Sequence, residues 1–153
     1  MLKYLNTQVT FSEVPDEITL CINITGCKIG CKNCHSSYLA EDIGEELNID
    51  SLHELISNNK GITCVSFMGG DSNPKEVDYL ASIVKEYYSL KTAWYSGRQE
   101  LSKDIRLWNF SYIKLGPYME DKGALDNVNT NQRFYKVVND ELIDITSVFW
   151  KNR

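Results

Sequence analysis

Ile62-Thr63-Cys64-Val65-Ser66-Phe67-Met68 is a β-branched and apolar run that stops at Gly69-Gly70-Asp71, and the segment behind it decides the fold class. Asn73 is placed to cap a helix with Pro74 in its first position and Glu76 at the third, and Val77, Leu80, Val84 and Tyr87 recur at helical spacing. Thr92 to Tyr95 then reads as strand again. Strand, helix, strand in this order is a βαβ unit, which joins parallel strands.

The same rhythm extends in both directions. Upstream, Ile18 to Ile24 reads as a strand broken by Gly26, and Ser51-Leu52-His53-Glu54 has the form of a capping box for a short helix. Leu52, Leu55 and Ile56 would form the apolar side of that helix and Gly61 its end, with His53 on its surface. Downstream, Gln99 to Leu107 reads as a short helix and Tyr112 to Leu115 as a strand. A closed eight-unit barrel takes about 250 residues, so 153 residues predict a single α/β domain over 1–153: a partial, open β/α barrel of about five units. In such sheets ligands bind at the carboxyl ends of the strands, where the loops after Ile24, Met68, Tyr95 and Leu115 would gather. The end departs from the rhythm, with a polar loop from Gly116 to Gln132 and a hairpin of Phe134 to Val138 with Leu142 to Ile145 around Asn139-Asp140-Glu141. A loop of that length in a small domain predicts a partner-facing segment.

Sixteen Lys plus Arg against 21 Asp plus Glu give a net charge of −5, which argues against nucleic acid and anionic membrane as partners. No apolar run has the length of a membrane span, and the first residues lack the apolar core of a secretory signal, so the expected location is cytoplasmic. Five cysteines, an odd number, fit poorly with a disulfide framework. Cys21 and Cys64 sit alone inside apolar runs and read as strand core. The Tyr87-Tyr88 pair and Trp108 read as core or interface aromatics.

The other three cysteines form the informative cluster: Cys27, Cys31 and Cys34, spaced C-x3-C-x2-C, with Gly26 and Gly30 allowing tight turns. Three soft thiolates on a short loop can wrap one [4Fe-4S] cube and leave its fourth iron open to an external molecule. One alternative is a buried helical face, since the three positions share a side of a helix, but the glycines, Lys28, Lys32 and Asn33 oppose it. The other is structural zinc, which needs four ligands; His35 adjoins Cys34 and is poorly placed to join the same ion.

With Thr25-Gly26-Cys27 and the cysteine spacing, Val65-Ser66-Phe67-Met68-Gly69-Gly70-Asp71, Trp94-Tyr95-Ser96-Gly97 and Thr130-Asn131-Gln132-Arg133, the chain resembles the radical S-adenosylmethionine (SAM) enzymes. Among them it looks most like the activating proteins of anaerobic ribonucleoside-triphosphate reductase. The resemblance implies a partial barrel of the radical SAM type, a [4Fe-4S] cluster on Cys27, Cys31 and Cys34, and SAM bound by the cluster's open iron. It implies reductive cleavage of SAM and generation of a glycyl radical on the reductase, with electrons from a donor such as a flavodoxin-like protein. A formate-lyase type of glycyl-radical enzyme is the nearest alternative partner, and a non-enzymatic zinc-binding adaptor is the alternative from another class.

The resemblance also assigns Gly69, Gly70 and Asp71 to the methionine end of SAM, the glycines by close backbone approach and the carboxylate by offsetting an ammonium charge. Lys114 is a candidate for a SAM oxygen, or else a lysine that snorkels along the sheet. Asn33 stands where many members carry an aromatic residue, and Asn33 and His35, beside the third cysteine, are further cofactor-side candidates. His35 reads equally well as a solvent-facing histidine. No side chain is assigned a catalytic role beyond cluster and SAM, because the hard chemistry belongs to the cofactors.

Overall fold

The computed structural model describes residues 1–26 and 43–150. Its strands are β1 (Leu2–Thr10), β2 (Thr19–Ile24), β3 (Glu45–Leu47), β4 (Cys64–Met68), β5 (Lys91–Tyr95), β6 (Tyr112–Leu115), β7 (Arg133–Val138) and β8 (Glu141–Asp144). Two helices, α1 (Ile49–Ser57) and α2 (Pro74–Tyr88), accompany them. The strands form one mixed sheet in the order β3-β1-β2-β4-β5-β6-β7-β8, which does not close into a barrel.

Its centre is parallel, as the βαβ reading requires. β2 pairs with β4, β4 with β5 and β5 with β6, all in the same direction. Both flanks are antiparallel: β1 joins β2 and β3 on one side, and β7 and β8 form the C-terminal hairpin beside β6 on the other. The parallel strands among the described residues therefore number four, against the expected five or so units. The remaining length goes into hairpins. β1 escapes sequence reading because Leu5 to Thr10 is polar and uncharged, with little alternation.

α2 begins as expected, with the Asn73 side chain accepting the Glu76 N–H and Pro74 in its first turn. α1 is capped one turn earlier than the Ser51–Glu54 box predicts. Asn48 is the N-cap: its side chain accepts the Ser51 N–H at 2.9 Å, and Ser51 Oγ accepts the Asn48 N–H at 2.9 Å. A reciprocal box needs a short side chain able to fold back at each end, and an Asn/Ser pair meets this without Glu54. α1 also ends at Ser57 with Asn58 as its C-cap, before Gly61. The helix expected over 99–107 is reduced to a single 3-10 turn at Leu107–Asn109.

Strand alternation splits the core between the two faces of the sheet. On one, Leu20, Ile22, Ile24, Val65, Phe67, Trp94 and Ile113 pack beneath Leu52 and Ile56 of α1 and Val77, Leu80, Ala81 and Val84 of α2. On the other, Cys64, Ala93, Tyr112 and Phe134 are covered by Val14 from the β1–β2 turn and Leu125 from the polar loop. Cys21 and Cys64 are buried core, as expected. Of the aromatics expected in core or interface, Tyr87 and Trp108 are 76% and 54% exposed and lie outside the core, while Tyr88 packs partly against it. Tyr88 rests against Tyr87 and hydrogen-bonds the exposed ring of His53.

Candidate functional site

Because β2, β4, β5 and β6 run parallel, the segments that follow them lie at one edge of the sheet. Thr25-Gly26 leaves β2, Gly69-Gly70-Asp71 leaves β4, Ser96-Gly97 leaves β5 and Gly116-Pro117 leaves β6, as the sequence predicts. Cys27, Cys31, Cys34, Asn33 and His35 lie outside the described residues. The chain on either side of them is pinned, since Thr25 Oγ1 donates to the Ile43 carbonyl at 2.6 Å and the Thr25 N–H to the Lys3 carbonyl at 2.9 Å.

The Gly69-Gly70-Asp71 turn is stitched to the end of β5. The Gly69 N–H donates to the Tyr95 carbonyl at 3.0 Å, and the Trp94 indole donates to the Gly69 carbonyl at 2.7 Å. Asp71 is buried and accepts from Ser96 Oγ at 2.5 Å and from the Gly97 N–H at 2.9 Å. The two glycines have a structural cause of their own. Both hold positive φ, +109° at Gly69 and +93° at Gly70, and a β-carbon at Gly70 would lie 2.6 Å from Val77 Cγ2 on α2. The turn is thus a shelf whose backbone is fixed before any ligand arrives.

Lys114 projects to the same edge and does not snorkel outward. Its residue is 9% exposed, its Nζ donates to the Ser96 carbonyl at 3.0 Å and the Gly116 carbonyl at 2.9 Å, and the Tyr95 ring centroid lies 6.0 Å away. Ser96 is therefore shared: its hydroxyl meets the Asp71 carboxylate and its carbonyl the Lys114 ammonium. A buried carboxylate and a buried ammonium are held at one strand terminus through one serine. The serine thus ties the turn after β4 to the end of β6 through two charged side chains.

Two residues from the Thr130-Asn131-Gln132-Arg133 stretch, which the sequence reading did not place among the cofactor-side candidates, also lie at this edge. Gln132 is buried next to the start of β7, and a β-carbon at Gly116 would lie 3.1 Å from its Cα. Asn131 donates from Nδ2 to the Pro117 carbonyl at 3.0 Å, while its buried Oδ1 has no hydrogen-bond partner among the described residues. Buried polar atoms are normally paired, and among the described residues this acceptor and Thr19 Oγ1 are the exceptions. The Thr130-Asn131-Gln132-Arg133 match was the available signal, though nothing in it says which amide is buried. The polar loop that ends there is anchored: Leu125 is buried, Trp150 Nε1 donates to its carbonyl at 2.8 Å, and Thr130 Oγ1 donates to the Gly123 carbonyl at 3.1 Å.

The two described cysteines are poor ligands. Burial pushes the Cys21 thiol up to about 11 and the Cys64 thiol up to about 12, so both stay protonated near neutrality. Among the described residues no group of three His, Cys, Asp or Glu is arranged to hold a metal ion, and no helix is long and apolar enough to cross a membrane. A scan against protein-family models, a search of curated proteins and a search of solved structures each return no match.

Proposed function

We propose that the protein is a radical SAM activating enzyme: it holds a [4Fe-4S] cluster on Cys27, Cys31 and Cys34, binds SAM, and installs a glycyl radical on an anaerobic ribonucleoside-triphosphate reductase. The observation that carries this reading is that the C-x3-C-x2-C motif begins in the sequence at Cys27, three residues past the end of β2, a central parallel strand whose carboxyl end lies on the edge that also carries Asp71, Ser96 and Lys114. The four parallel strands are read, on this view, as the core of an open radical SAM barrel.

The residues present fit the cofactors by donor chemistry. Thiolates are the usual ligands of iron–sulfur clusters, and the two cysteines elsewhere are held protonated by burial, which leaves the three-cysteine segment as the donor set. When bound, cluster and SAM supply one-electron cleavage chemistry, with an electron from a flavodoxin-like donor. The chain's own part is to bind and orient. On this reading the shelf at Gly69 and Gly70 sets a ligand's distance from the strand ends, the Asp71 carboxylate offsets an ammonium and Lys114 meets a carboxylate. Asn131 Oδ1 supplies an acceptor.

The test is anaerobic. Purified protein is reconstituted with iron and sulfide, reduced, and incubated with SAM; about four irons per chain and formation of 5′-deoxyadenosine are expected. A glycyl-radical signal by electron paramagnetic resonance should follow when the reductase is added. One tightly bound zinc and no SAM cleavage would instead identify an adaptor.

A further inference from the structure

Trp94 and Tyr95 end β5, Ser96 and Gly97 follow it, and each of the four holds one hydrogen bond to the turn after β4. The Trp94 indole N–H donates to the Gly69 carbonyl at 2.7 Å, and the Tyr95 carbonyl accepts the Gly69 N–H at 3.0 Å. Ser96 Oγ and the Gly97 N–H take the two Asp71 oxygens at 2.5 Å and 2.9 Å. Strand register accounts for the Tyr95 bond, because Met68 pairs with Tyr95 and the chain leaving β4 continues that ladder by one step. The Trp94 bond has no such origin. Trp94 pairs with Phe67, and its side chain reaches past the strand end to find its acceptor.

The acceptor is the carbonyl of the peptide that joins Gly69 to Gly70. Both residues have positive φ and no β-carbon, so side-chain sterics do little to hold this peptide in one orientation. The indole supplies the missing restraint. A trans peptide directs its N–H opposite to its carbonyl, so a carbonyl held towards Trp94 turns the Gly70 N–H away from it. Trp94 itself is fully buried in the layer beneath the helices, with the Phe110 ring at a centroid distance of 6.4 Å, and offers a ligand no surface.

We propose that Trp94 is a positioning residue for ligand binding: through Gly69 it holds the Gly69–Gly70 peptide in the orientation that receives the amino-acid end of SAM. The proposal rests on the SAM reading of this turn and adds to it a residue that touches neither SAM nor the cluster. Such support matters because a contact group has to be held close to its productive geometry before the ligand arrives.

The experiment replaces Trp94 by benzothienylalanine, which keeps the shape of the indole with sulfur in place of the N–H. The full chain is loaded with iron and sulfide and titrated with SAM by calorimetry, iron content is measured, and the Gly69 and Gly70 amide signals of the cluster-free chain are followed by nuclear magnetic resonance. The expected result is SAM binding weakened about tenfold, with iron content unchanged and both amide signals shifted. Trp94→Phe repeats the loss of the donor should the isostere fold poorly. Phe110→Leu loosens the same packing while keeping the hydrogen bond, and should leave SAM affinity unchanged. Wild-type affinity in the isostere protein overturns the proposal and leaves SAM binding by the turn in place. An equal loss of affinity in Phe110→Leu, or a loss of iron along with affinity in the isostere protein, makes Trp94 a packing residue and overturns it too. No SAM binding by the iron-loaded wild type overturns the underlying reading, and the proposal with it.

Discussion

Asp71 and Ser96 share a 2.5 Å hydrogen bond, yet only one of them carries charge, and that difference separates architecture from ligand binding. Ser96→Ala and Asp71→Asn both weaken the tie between the ends of β4 and β5, and each should cost about 1–3 kcal/mol of stability. If the carboxylate offsets a ligand ammonium, Asp71→Asn should weaken SAM binding well beyond Ser96→Ala, as read by calorimetric titration of cluster-loaded protein. Equal effects would leave Asp71 a purely structural residue. Gly70 is the wrong place for such a probe. Any β-carbon there meets Val77 and any L side chain resists the +93° φ, so Gly70→Ala should lower stability by about 2–4 kcal/mol whatever the ligand does. Thermal melts of the cluster-free chain would check this.

At the scale of elements, the parallel strands are fastened at the edge away from the site. Glu17 is buried before β2 and accepts from Thr63 Oγ1 at 2.7 Å, Lys91 Nζ at 2.8 Å and Tyr112 Oη at 2.9 Å, residues that precede or begin β4, β5 and β6. Burial alone would raise its carboxyl pKa, but the hydrogen bonds from Lys91, Thr63 and Tyr112 outweigh it and hold the group below its ordinary value. A carboxyl depressed in the folded state stabilises fully above its unfolded pKa of about 4.3, and that stabilisation is lost as pH falls through the lower folded value. The wild type should therefore lose more stability than Glu17→Gln as pH drops from about 5 to 3, and Glu17→Gln should cost about 1–3 kcal/mol at neutral pH. Denaturant unfolding at a series of pH values decides it. For α1, Asn48→Ala should cost about 1 kcal/mol, whereas Glu54→Ala should stay within about 0.5 kcal/mol, because Ser51 and not Glu54 closes the capping box.

For the whole molecule, the expected division of labour among the cysteines is sharp. Cys27→Ala, Cys31→Ala or Cys34→Ala should each abolish iron loading and SAM cleavage. Cys21→Ala and Cys64→Ala should retain the iron, with stability lowered by the cavity each leaves in the sheet's second face. In folded, iron-free protein the two buried thiols should also resist alkylation near neutral pH and react after unfolding, since burial keeps them protonated. Loss of iron in a folded Cys64→Ala protein would overturn the ligand assignment.

The α/β class, the helix behind Asn73 and Pro74, the C-terminal hairpin and the edge that gathers the site were legible in the sequence, because local chemistry writes each of them: a cap, a fixed φ, an apolar period, a glycine after a strand. Periodicity could not reveal β1, whose second half is mostly polar, nor show that Ser51 serves a box begun by Asn48. The rhythm also suggested about five parallel units where the described residues hold four parallel strands, since the direction of a strand depends on the neighbour it finds. The sequence by itself determined the three-cysteine segment and its position after β2. Only the tertiary structure decided that Ser96 lies between Asp71 and Lys114, that Asn131 has a buried acceptor with no partner among the described residues, and that Gly70 is required by Val77. Those relations join residues far apart in the chain, and packing between separate elements, which no local pattern encodes, brings them together.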